Sequence, residues 1–218
     1  MINKIISISE AADKVKDGMT IMVGGFLANG TPDDLIDALV AKKVKNLTLI
    51  CNDTGFPDKG VGKMVVAKQF KKMIASHVGT NPETANQMNS GETEVCLVPQ
   101  GSLAEKVRCG GTGLGGFYTP TGIGTEVEEG KEKKIINGKE YILELPLRAD
   151  VALLRAKIVD KKGNMVFAKS GKNFNPLMAM AADVVIVQAD KIVEIGEIDP
   201  EQVMSSGIFV DYIVGGDK

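Results

Sequence analysis

The sequence predicts an α/β fold with an open, mostly parallel sheet, helices on both faces and an inserted β-hairpin region. Three observations predict this class. Short apolar runs alternate with amphipathic segments over residues 20–110, an order that is typical of parallel strands joined by helices. Residues 47–51 are apolar almost throughout, as in strands buried on both faces. Asn137 and Gly138 separate two β-like runs, which is the usual signal of a two-residue hairpin turn.

The first half of the chain is predicted to alternate helices and strands. It begins with a short helix capped by Ser9 and ended before Gly18. In the helix predicted to begin at Pro32, apolar side chains such as Leu35 and Leu39 fall on one face. The predicted helices cover residues 10–16, 32–42, 62–68 and 82–89, and the predicted strands cover residues 20–23, 47–51, 73–78 and 95–98.

The second half of the chain changes in pattern. Ser102 and Glu105 have the spacing of a capping box, which predicts a helix that opens there and ends at Gly110 and Gly111. Seven of the fifteen residues 110–124 are glycine. A disordered linker is one explanation, but interleaved apolar side chains favour an ordered, irregular loop that lines a cleft. The hairpin covers residues 134–142, further strands are predicted over 151–159, 165–168, 184–188 and 208–214, and a helix is predicted over 175–182.

Composition limits the function classes. The chain has 218 residues, 44% of them hydrophobic, and a net charge of -2, which predicts a single domain over residues 1–218 with a sizeable core. Three cysteines without C-x-x-C spacing indicate reduced thiols and a cytoplasmic location. No apolar run is long enough to cross a membrane. Tryptophan is absent and aromatic residues make up only 5%, which disfavours nucleic-acid binding.

The glycine-rich segment after the first strand is the strongest candidate for a binding site. Gly24, Gly25 and Gly30 allow positive φ and a close approach of main-chain N–H groups to a ligand. Thr31 is expected to cap the next helix and Pro32 to take its first position. The segment fits neither the dinucleotide fingerprint nor the phosphate-binding P-loop. A tight strand-to-helix turn without a ligand is the alternative explanation.

Polar residues follow two other predicted strands. Asn52 and Asp53 stand after one strand and Gln100 after another, where parallel sheets gather their ligands. Side-chain amides there can orient a carboxylate or a carbonyl, although turn chemistry also explains Asn52 and Asp53. His77 is interpreted as structural, and no metal site is expected. The sequence holds no recognisable nucleophile–base pair, so these binding loops indicate half of an active site.

Together these motifs resemble the α (A) subunit of the class I coenzyme A transferases, the 3-oxoacid and acetate/butyrate-acetoacetate type. The resemblance spans essentially the whole chain, with the motifs in the expected order. They are Asp17-Gly18, Val23-Gly24-Gly25-Phe26, Gly30-Thr31-Pro32, Ile74-Ala75-Ser76-His77-Val78-Gly79-Thr80-Asn81-Pro82, Val98-Pro99-Gln100-Gly101, Arg108-Cys109-Gly110-Gly111-Thr112-Gly113, Tyr118-Thr119-Pro120-Thr121-Gly122, Leu147-Arg148-Ala149-Asp150 and Lys172-Asn173-Phe174-Asn175-Pro176.

The resemblance implies an enzyme that works only with a second polypeptide. In this family a glutamate in a Ser-Glu-Asn-Gly motif of the β subunit attacks the acyl-CoA, and CoA is held on that glutamate as a thioester in a ping-pong reaction. No Ser-Glu-Asn occurs in this sequence, so no catalytic residue is expected in this chain. The CoA thioester is a substrate rather than a bound cofactor, no prosthetic group or metal is implied, and an α2β2 assembly is expected.

With this interpretation, the chemistry of the candidate residues suggests a hypothesis for their roles. The acyl-CoA is expected to lie against Gly24, Gly25, Phe26, Leu27, Ala28, Asn29 and Gly30. Asn52 and Gln100 are expected to hold the small carboxylate, and Gly113, Gly115 and Gly116 to line the cleft. A main-chain N–H of Val23, Gly24 or Gly25 is expected to stabilise the thioester oxyanion. Lys63, Lys68 and Lys172 are candidates for the CoA tail, with none singled out.

Two other functions compete with this interpretation. The first is a non-catalytic module on the same fold that senses acyl-CoA or a sugar phosphate, since a fold does not fix an activity. The second is an isomerase of phosphorylated sugars, which requires a complete acid–base site within the chain. No such site is visible in the sequence. The preferred substrates, among them acetyl-CoA, butyryl-CoA, acetate and acetoacetate, are not ranked by the sequence.

Overall fold

A parallel sheet organises the chain, as a computed structural model that describes residues 3–216 shows. Over those residues, seven strands lie side by side in the order β11-β10-β8-β1-β2-β3-β4, each parallel to its neighbour, and β9 pairs antiparallel with β8. The strands of this sheet are β1 Thr20–Val23, β2 Leu47–Ile50, β3 Phe70–Ala75, β4 Glu94–Leu97, β8 Ala149–Asp160, β9 Met165–Val166, β10 Ala182–Val193 and β11 Tyr212–Gly215. The predicted open, mostly parallel sheet is confirmed.

Helices cover both faces of the sheet. They are α1 Ile8–Ala12, α2 Asp33–Lys42, α3 Gly62–Val66, α4 Pro82–Ser90, α5 Gln100–Thr112 and α6 Asn175–Met180. Successive residues of a strand point to opposite faces. Ile21 accordingly packs in the cluster that holds Leu35 and Leu39 of α2, whereas Met22 packs in the cluster that holds Leu103 of α5 and Met178 of α6. The β1 strand is therefore buried between the two layers of helices.

The strand order reverses direction in the middle of the sheet. From β1 the chain proceeds through β2 and β3 to β4 on one side, whereas from β8 it proceeds through β10 to β11 on the other. In open α/β sheets such a switch point leaves a crevice at the carboxyl ends of the strands, where ligands bind. The loop that leaves β1 lies at this crevice, next to β8.

A small antiparallel sheet is inserted between α5 and β8. Its strands are β5 Phe117–Thr119, β6 Lys133–Ile136 and β7 Lys139–Glu144, in the order β5-β7-β6. The hairpin between β6 and β7 turns at Asn137 and Gly138, with φ of 50° and 76°, as the Asn-Gly pair predicts. Glu144 is 1% exposed and accepts hydrogen bonds from Lys106 at 2.7 Å and Lys131 at 2.5 Å. Because Lys106 belongs to α5, this carboxylate connects the small sheet to that helix.

Two helix caps differ from the predictions. The first helix is capped by Ser7 in a capping box with Glu10, so the predicted cap at Ser9 is wrong by half a turn. Thr31 makes no capping bond to α2. Instead the Gln188 side chain, which comes from β10, accepts hydrogen bonds from the main-chain N–H groups of Asp34 and Leu35 at 3.1 and 3.3 Å. A partner 154 residues away in the chain is not visible in a local pattern.

The glycines after Arg108 do not end helix α5. The helix begins at Gln100, before the predicted capping box, and continues through Gly110 and Gly111 to Thr112. A Cβ on Gly110 would lie 1.9 Å from the carbonyl oxygen of Leu147, and one on Gly111 would lie 2.6 Å from Met180. These glycines therefore allow close packing within the helix rather than ending it. The same stretch also contains β5, so the prediction of an irregular loop over residues 110–124 is wrong for residues 110–112 and 117–119, while residues 113–116 and 120–124 are irregular as predicted.

Other element boundaries shift by a few residues. The β3 strand spans Phe70–Ala75 rather than residues 73–78, and β10 extends well beyond the predicted 184–188. Ile208 lies in a short 3-10 turn and is 81% exposed, so the last strand begins at Tyr212. Every helix within residues 3–216 is too short or too polar to cross a membrane.

Replacing Glu144 with Gln should weaken the hydrogen bonds that connect the small sheet to α5 through Lys106. Burial alone would raise the pKa of Glu144, but the hydrogen bonds from Lys106 and Lys131 outweigh burial and lower this pKa. Loss of the carboxylate should lower the free energy of unfolding at pH 7 by about 1 to 3 kcal/mol, measured by urea denaturation. Glu140→Gln, at an exposed position of the same strand near the hairpin turn, is the matched control and should have little effect.

The same carboxylate should make stability depend on pH. Because the pKa of Glu144 is lower in the folded chain, its contribution is complete above the unfolded glutamate pKa of about 4.3 and is lost as the pH falls through the folded value. The difference in unfolding free energy between Glu144→Gln and the unsubstituted chain should therefore shrink on acidification. A difference that stays constant down to pH 3 would contradict this assignment.

Candidate functional site

The loop 24–30 leaves β1 at the switch point and is anchored to β8. The Gly24 N–H donates to the Leu153 carbonyl at 3.0 Å, continuing the β1–β8 ladder one residue past the strand. Beyond it, Phe26 and Asn29 exchange main-chain hydrogen bonds of 3.0 and 2.9 Å. This closes a tight turn whose tip lies at the carboxyl edge of the sheet.

The two residues at the tip of this turn have left-handed backbone conformations, although neither is glycine. Leu27 and Ala28 have φ of 46° and 66°, a region that is unfavourable for residues with a Cβ. Such strain persists only where the surroundings hold it. Here the carboxylate of Asp53 accepts a hydrogen bond from the Leu27 N–H at 2.9 Å. Phe26 and Leu27 are 45% and 37% exposed, so the tip presents apolar surface beside the site.

Two asparagines hold the other side of the loop. Asn173 accepts a hydrogen bond from the Gly25 N–H at 3.1 Å and donates to the Asn29 carbonyl at 2.9 Å. Asn175 donates to the Gly30 carbonyl at 3.0 Å, and its Oδ1 accepts the main-chain N–H of Arg155 at 3.1 Å. Sequence reasoning gave neither asparagine a role. The signal that could have found them is the spacing of two asparagines immediately before Pro176.

The loop glycines are required by close contacts. A Cβ on Gly24 would lie 2.0 Å from Asn175 Oδ1, and one on Gly25 would lie 2.1 Å from Thr31 Oγ1. Gly25 also has φ of 134°, which strongly favours glycine. The glycines thus allow the loop to pack against α6, as well as to turn.

The expected oxyanion donors are already engaged. The Gly24 N–H donates to Leu153 and the Gly25 N–H to Asn173, while Val23 is paired with Leu153 in the sheet. In this structure the Gly24 and Gly25 N–H groups are therefore not free to face a ligand. Of the loop's main-chain N–H groups, those of Ala28 and Gly30 donate to no group within residues 3–216, and they remain as donors for a ligand.

Asn52 and Gln100 come together at the carboxyl edge, on the β2–β4 side. Gln100 Nε2 donates to Asn52 Oδ1 at 3.4 Å, although the two residues follow different strands. Asn52 Nδ2 in turn donates to Asp53 Oδ2 at 2.8 Å. Asn52 is 3% exposed, whereas Gln100 is exposed. Each amide nitrogen has a second N–H, so the pair can still donate two hydrogen bonds to a carboxylate.

His77 and Cys51 also lie near this edge. His77 pairs through its main chain with Asp53, and its side chain is exposed. Burial, together with the neighbouring Asp53 charge, raises the pKa of the Cys51 thiol well above its ordinary value, so this thiol is a poor nucleophile. The described part of the chain contains no group of three histidine, cysteine, aspartate or glutamate side chains arranged to bind a metal.

The predicted cleft glycines lie elsewhere. Gly113, Gly115 and Gly116 follow the far end of α5, about 20 Å along the helix from Gln100. They lie away from the loop 24–30, because α5 runs from the carboxyl edge of the sheet toward the opposite edge, and their role in lining a cleft stays a prediction. Of the lysines considered for the CoA tail, Lys63 pairs with Asp37 and Lys68 pairs with Glu92.

Comparisons with known proteins match this chain over nearly its full length. A family model described as "Coenzyme A transferase" matches residues 5–216. The acetate CoA-transferase subunit alpha of Escherichia coli K12 is 52% identical over 214 residues, which cover 98% of this chain and 97% of that protein. The acetoacetyl-CoA:acetate/butyrate CoA transferase alpha subunit of Clostridium acetobutylicum is also 52% identical over 214 residues, covering 98% of each chain.

The fold is shared with a solved structure. The crystal structure of an acyl-CoA transferase of Escherichia coli O157:H7, in a thioester complex with CoA, superposes with a TM-score of 0.87 at 23% identity. The match covers 97% of this chain and 47% of that one, so this chain spans about half the length of that protein.

Replacing Gly24 with Ala should disrupt the loop. The new methyl group would overlap Asn175 Oδ1 and displace the amide that holds Gly30, at a cost of about 1 to 3 kcal/mol in unfolding free energy. Gly115→Ala is the matched control, because its Cβ would meet nothing within 4 Å. Urea denaturation of the two variants should show a lower midpoint only for Gly24→Ala. Equal midpoints would show that the close contact does not constrain the loop.

Proposed function

The chain belongs to the coenzyme A transferase family, and we propose that it is the α subunit of a heteromeric enzyme that moves CoA between a short-chain acyl-CoA and a carboxylate. The observation that carries this proposal is the match at 52% identity, over nearly the whole length of both proteins, to two relatives named as alpha subunits of such enzymes. The loop at the sheet's switch point and the Asn52–Gln100 pair at the same carboxyl edge support it.

The substrates are proposed to be small. The relatives at 52% identity are named for acetate, butyrate and acetoacetyl-CoA, and we assign the same class of donors and acceptors to this chain: acetyl-CoA or butyryl-CoA, with acetate or acetoacetate. CoA enters as a thioester substrate, and the proposal includes no prosthetic group and no metal. Free thiols at Cys51, Cys96 and Cys109 fit a cytoplasmic location.

The attacking carboxylate is assigned to a β subunit. Such a partner is expected to carry a glutamate in a Ser-Glu-Asn-Gly motif, and two copies of each subunit form the assembly. The partner's glutamate attacks the thioester carbonyl and displaces the CoA thiolate, which leaves an acyl anhydride on that glutamate. The thiolate then attacks the glutamyl carbonyl and releases the donor acid. A second carboxylate reverses both steps and leaves as a new acyl-CoA.

The residues of this chain bind and orient the reactants in that scheme. Asn52 and Gln100 donate their remaining N–H groups to the carboxylate, which fixes the acid for attack. The N–H groups of Ala28 and Gly30 are the loop's candidates for the polarised carbonyl oxygen, in place of those of Gly24 and Gly25. Exposed Phe26 and Leu27 at the loop tip are apolar surface of the kind that a partner subunit buries. The alternative, a non-catalytic sensing module, is not favoured because the full-length relatives are named as transferase subunits.

Co-expression with a β subunit that carries the Ser-Glu-Asn-Gly motif tests the proposed function. The purified pair should transfer CoA from acetyl-CoA or butyryl-CoA to a carboxylate acceptor, and neither chain should do so alone. Because one methylene changes the free energy of substrate discrimination by only about 1 to 3 kcal/mol, a panel of acyl-CoA donors and acid acceptors is needed to identify the preferred acid. CoA transfer by the isolated chain would contradict the assignment of the attacking carboxylate to the β subunit. Binding of acyl-CoA by the pair without CoA transfer would favour the sensing module.

Gln100→Ala should weaken binding of the carboxylate. Loss of a hydrogen bond to a charged group, worth about 1.5 to 3 kcal/mol, should raise the KM for the acid about 10-fold to 100-fold, with a smaller change in the KM for acyl-CoA. Gln202→Ala, an exposed glutamine in the short turn Pro200–Gln202, is the control and should leave both values unchanged. Equal effects on the two substrates would remove Gln100 from the carboxylate site.

A further inference from the structure

Asp53 is a buried carboxylate that the proposed reaction does not use directly. It follows β2 and Asn52 in the chain, and it is 5% exposed. Its three hydrogen bonds come from the Leu27 N–H at 2.9 Å, the Asn52 side-chain amide at 2.8 Å and the Gly55 N–H at 2.9 Å. All three donors are neutral, and Asp53 forms no ion pair within residues 3–216.

Burial of a carboxylate without a cation is costly unless its oxygens are fully hydrogen-bonded. The Gly55 bond alone explains a turn, because aspartate side chains commonly accept the main-chain N–H two residues later. A serine or a threonine would serve that turn with less charge to bury. The two bonds to Oδ2 therefore require a separate explanation.

Those two bonds connect the two parts of the candidate site through a single atom. Oδ2 accepts both the Leu27 N–H, at the strained tip of the loop, and the Asn52 Nδ2. Because Nδ2 is directed to Asp53, Asn52 Oδ1 faces Gln100 Nε2 at 3.4 Å and Ser76 Oγ at 3.5 Å. The position of the loop tip and the orientation of the Asn52–Gln100 pair thus depend on the same carboxylate oxygen.

We propose that Asp53 is a positioning residue that holds the acyl-CoA loop and the carboxylate-binding pair in a fixed mutual arrangement. This inference rests on the proposed function of the two parts, and it adds that they form as one unit. Its consequence is that a change at Asp53 affects the kinetics of both substrates, although Asp53 contacts neither.

Asp160 offers a matched control within the same chain. It is also buried, at 3% exposure, and it accepts two main-chain N–H groups, from Lys162 and Asn164, and the Asn164 side-chain amide, at 2.8 to 2.9 Å. It lies at the end of β8, seven residues beyond the position that pairs with Val23, and its three hydrogen bonds reach neither the loop 24–30 nor the Asn52–Gln100 pair. The two aspartates therefore share their chemistry but not their location.

Asp53→Asn and Asp160→Asn are compared in the reconstituted heteromer. An asparagine can retain the turn bond through its oxygen but then presents an N–H₂ group to the remaining donors. Both variants should lower the unfolding temperature. Asp53→Asn alone should raise the KM for the acyl-CoA and the KM for the carboxylate acceptor and lower kcat, each about tenfold, because misplaced groups lose productive orientation. A purely structural role would lower kcat only in proportion to the folded fraction and leave both KM values unchanged, and that result would overturn the inference.

Asp53→Ser is a second variant that tests the inference if Asp53→Asn does not fold. Its hydroxyl retains an acceptor for the Gly55 N–H and introduces no donor-to-donor clash, so the turn is kept while the Leu27 and Asn52 bonds are lost. Hydrogen exchange of the segment 24–31 should be faster in Asp53→Ser than in Asp160→Asn, and this readout does not depend on activity. An inactive unsubstituted heteromer would contradict the proposed function, whereas unchanged exchange in Asp53→Ser would contradict the connection through Asp53.

Discussion

Close contact between the main chain at Gly24 and the Asn175 side chain is the constraint on which the candidate site depends. Asn175 is fully buried, and its amide connects the loop after β1, the main chain of β8 and the turn at Gly171. A side chain on Gly24 would occupy the space of its Oδ1. Where the loop leaves β1 at the switch point, its main chain is therefore packed closely against the Asn175 amide.

The strained turn at Leu27 and Ala28 follows from this anchoring. Left-handed φ values at residues with a Cβ cost free energy. The hydrogen bond that Asp53 accepts from the Leu27 N–H and the one that Asn173 donates to the Asn29 carbonyl offset that cost. The loop is thereby organised before a ligand arrives, which reduces the entropy lost on binding. The other main-chain N–H groups of the loop donate hydrogen bonds that stabilise the turn. Within the described part of the chain, only those of Ala28 and Gly30 therefore remain to donate to a ligand.

The sequence is sufficient to predict the elements whose signals are local. The β1 strand, the Asn137–Gly138 hairpin and the alternation that produces the parallel sheet all depend on neighbouring residues. The cap of α2 by Gln188 and the glycines within α5 could not be predicted in this way, since their causes are contacts with distant segments. In the site, the meeting of Asn52 and Gln100 follows from the ends of parallel strands lying at one edge. The placement of Gly113, Gly115 and Gly116 depends on the direction in which α5 runs, which glycine content does not reveal.

Neither Cys51 nor Asp53, which lie beside the candidate site, is suited to attack a thioester: the Cys51 thiol is buried with a raised pKa, and the Asp53 carboxylate accepts three hydrogen bonds. The central claim is that the attacking carboxylate belongs to a second chain. Intact-mass spectrometry of the heteromer, incubated with acyl-CoA in the absence of an acceptor acid, tests it directly. The claim predicts that the partner gains the mass of CoA less one water and that this chain remains unmodified. The same gain on this chain would contradict the claim.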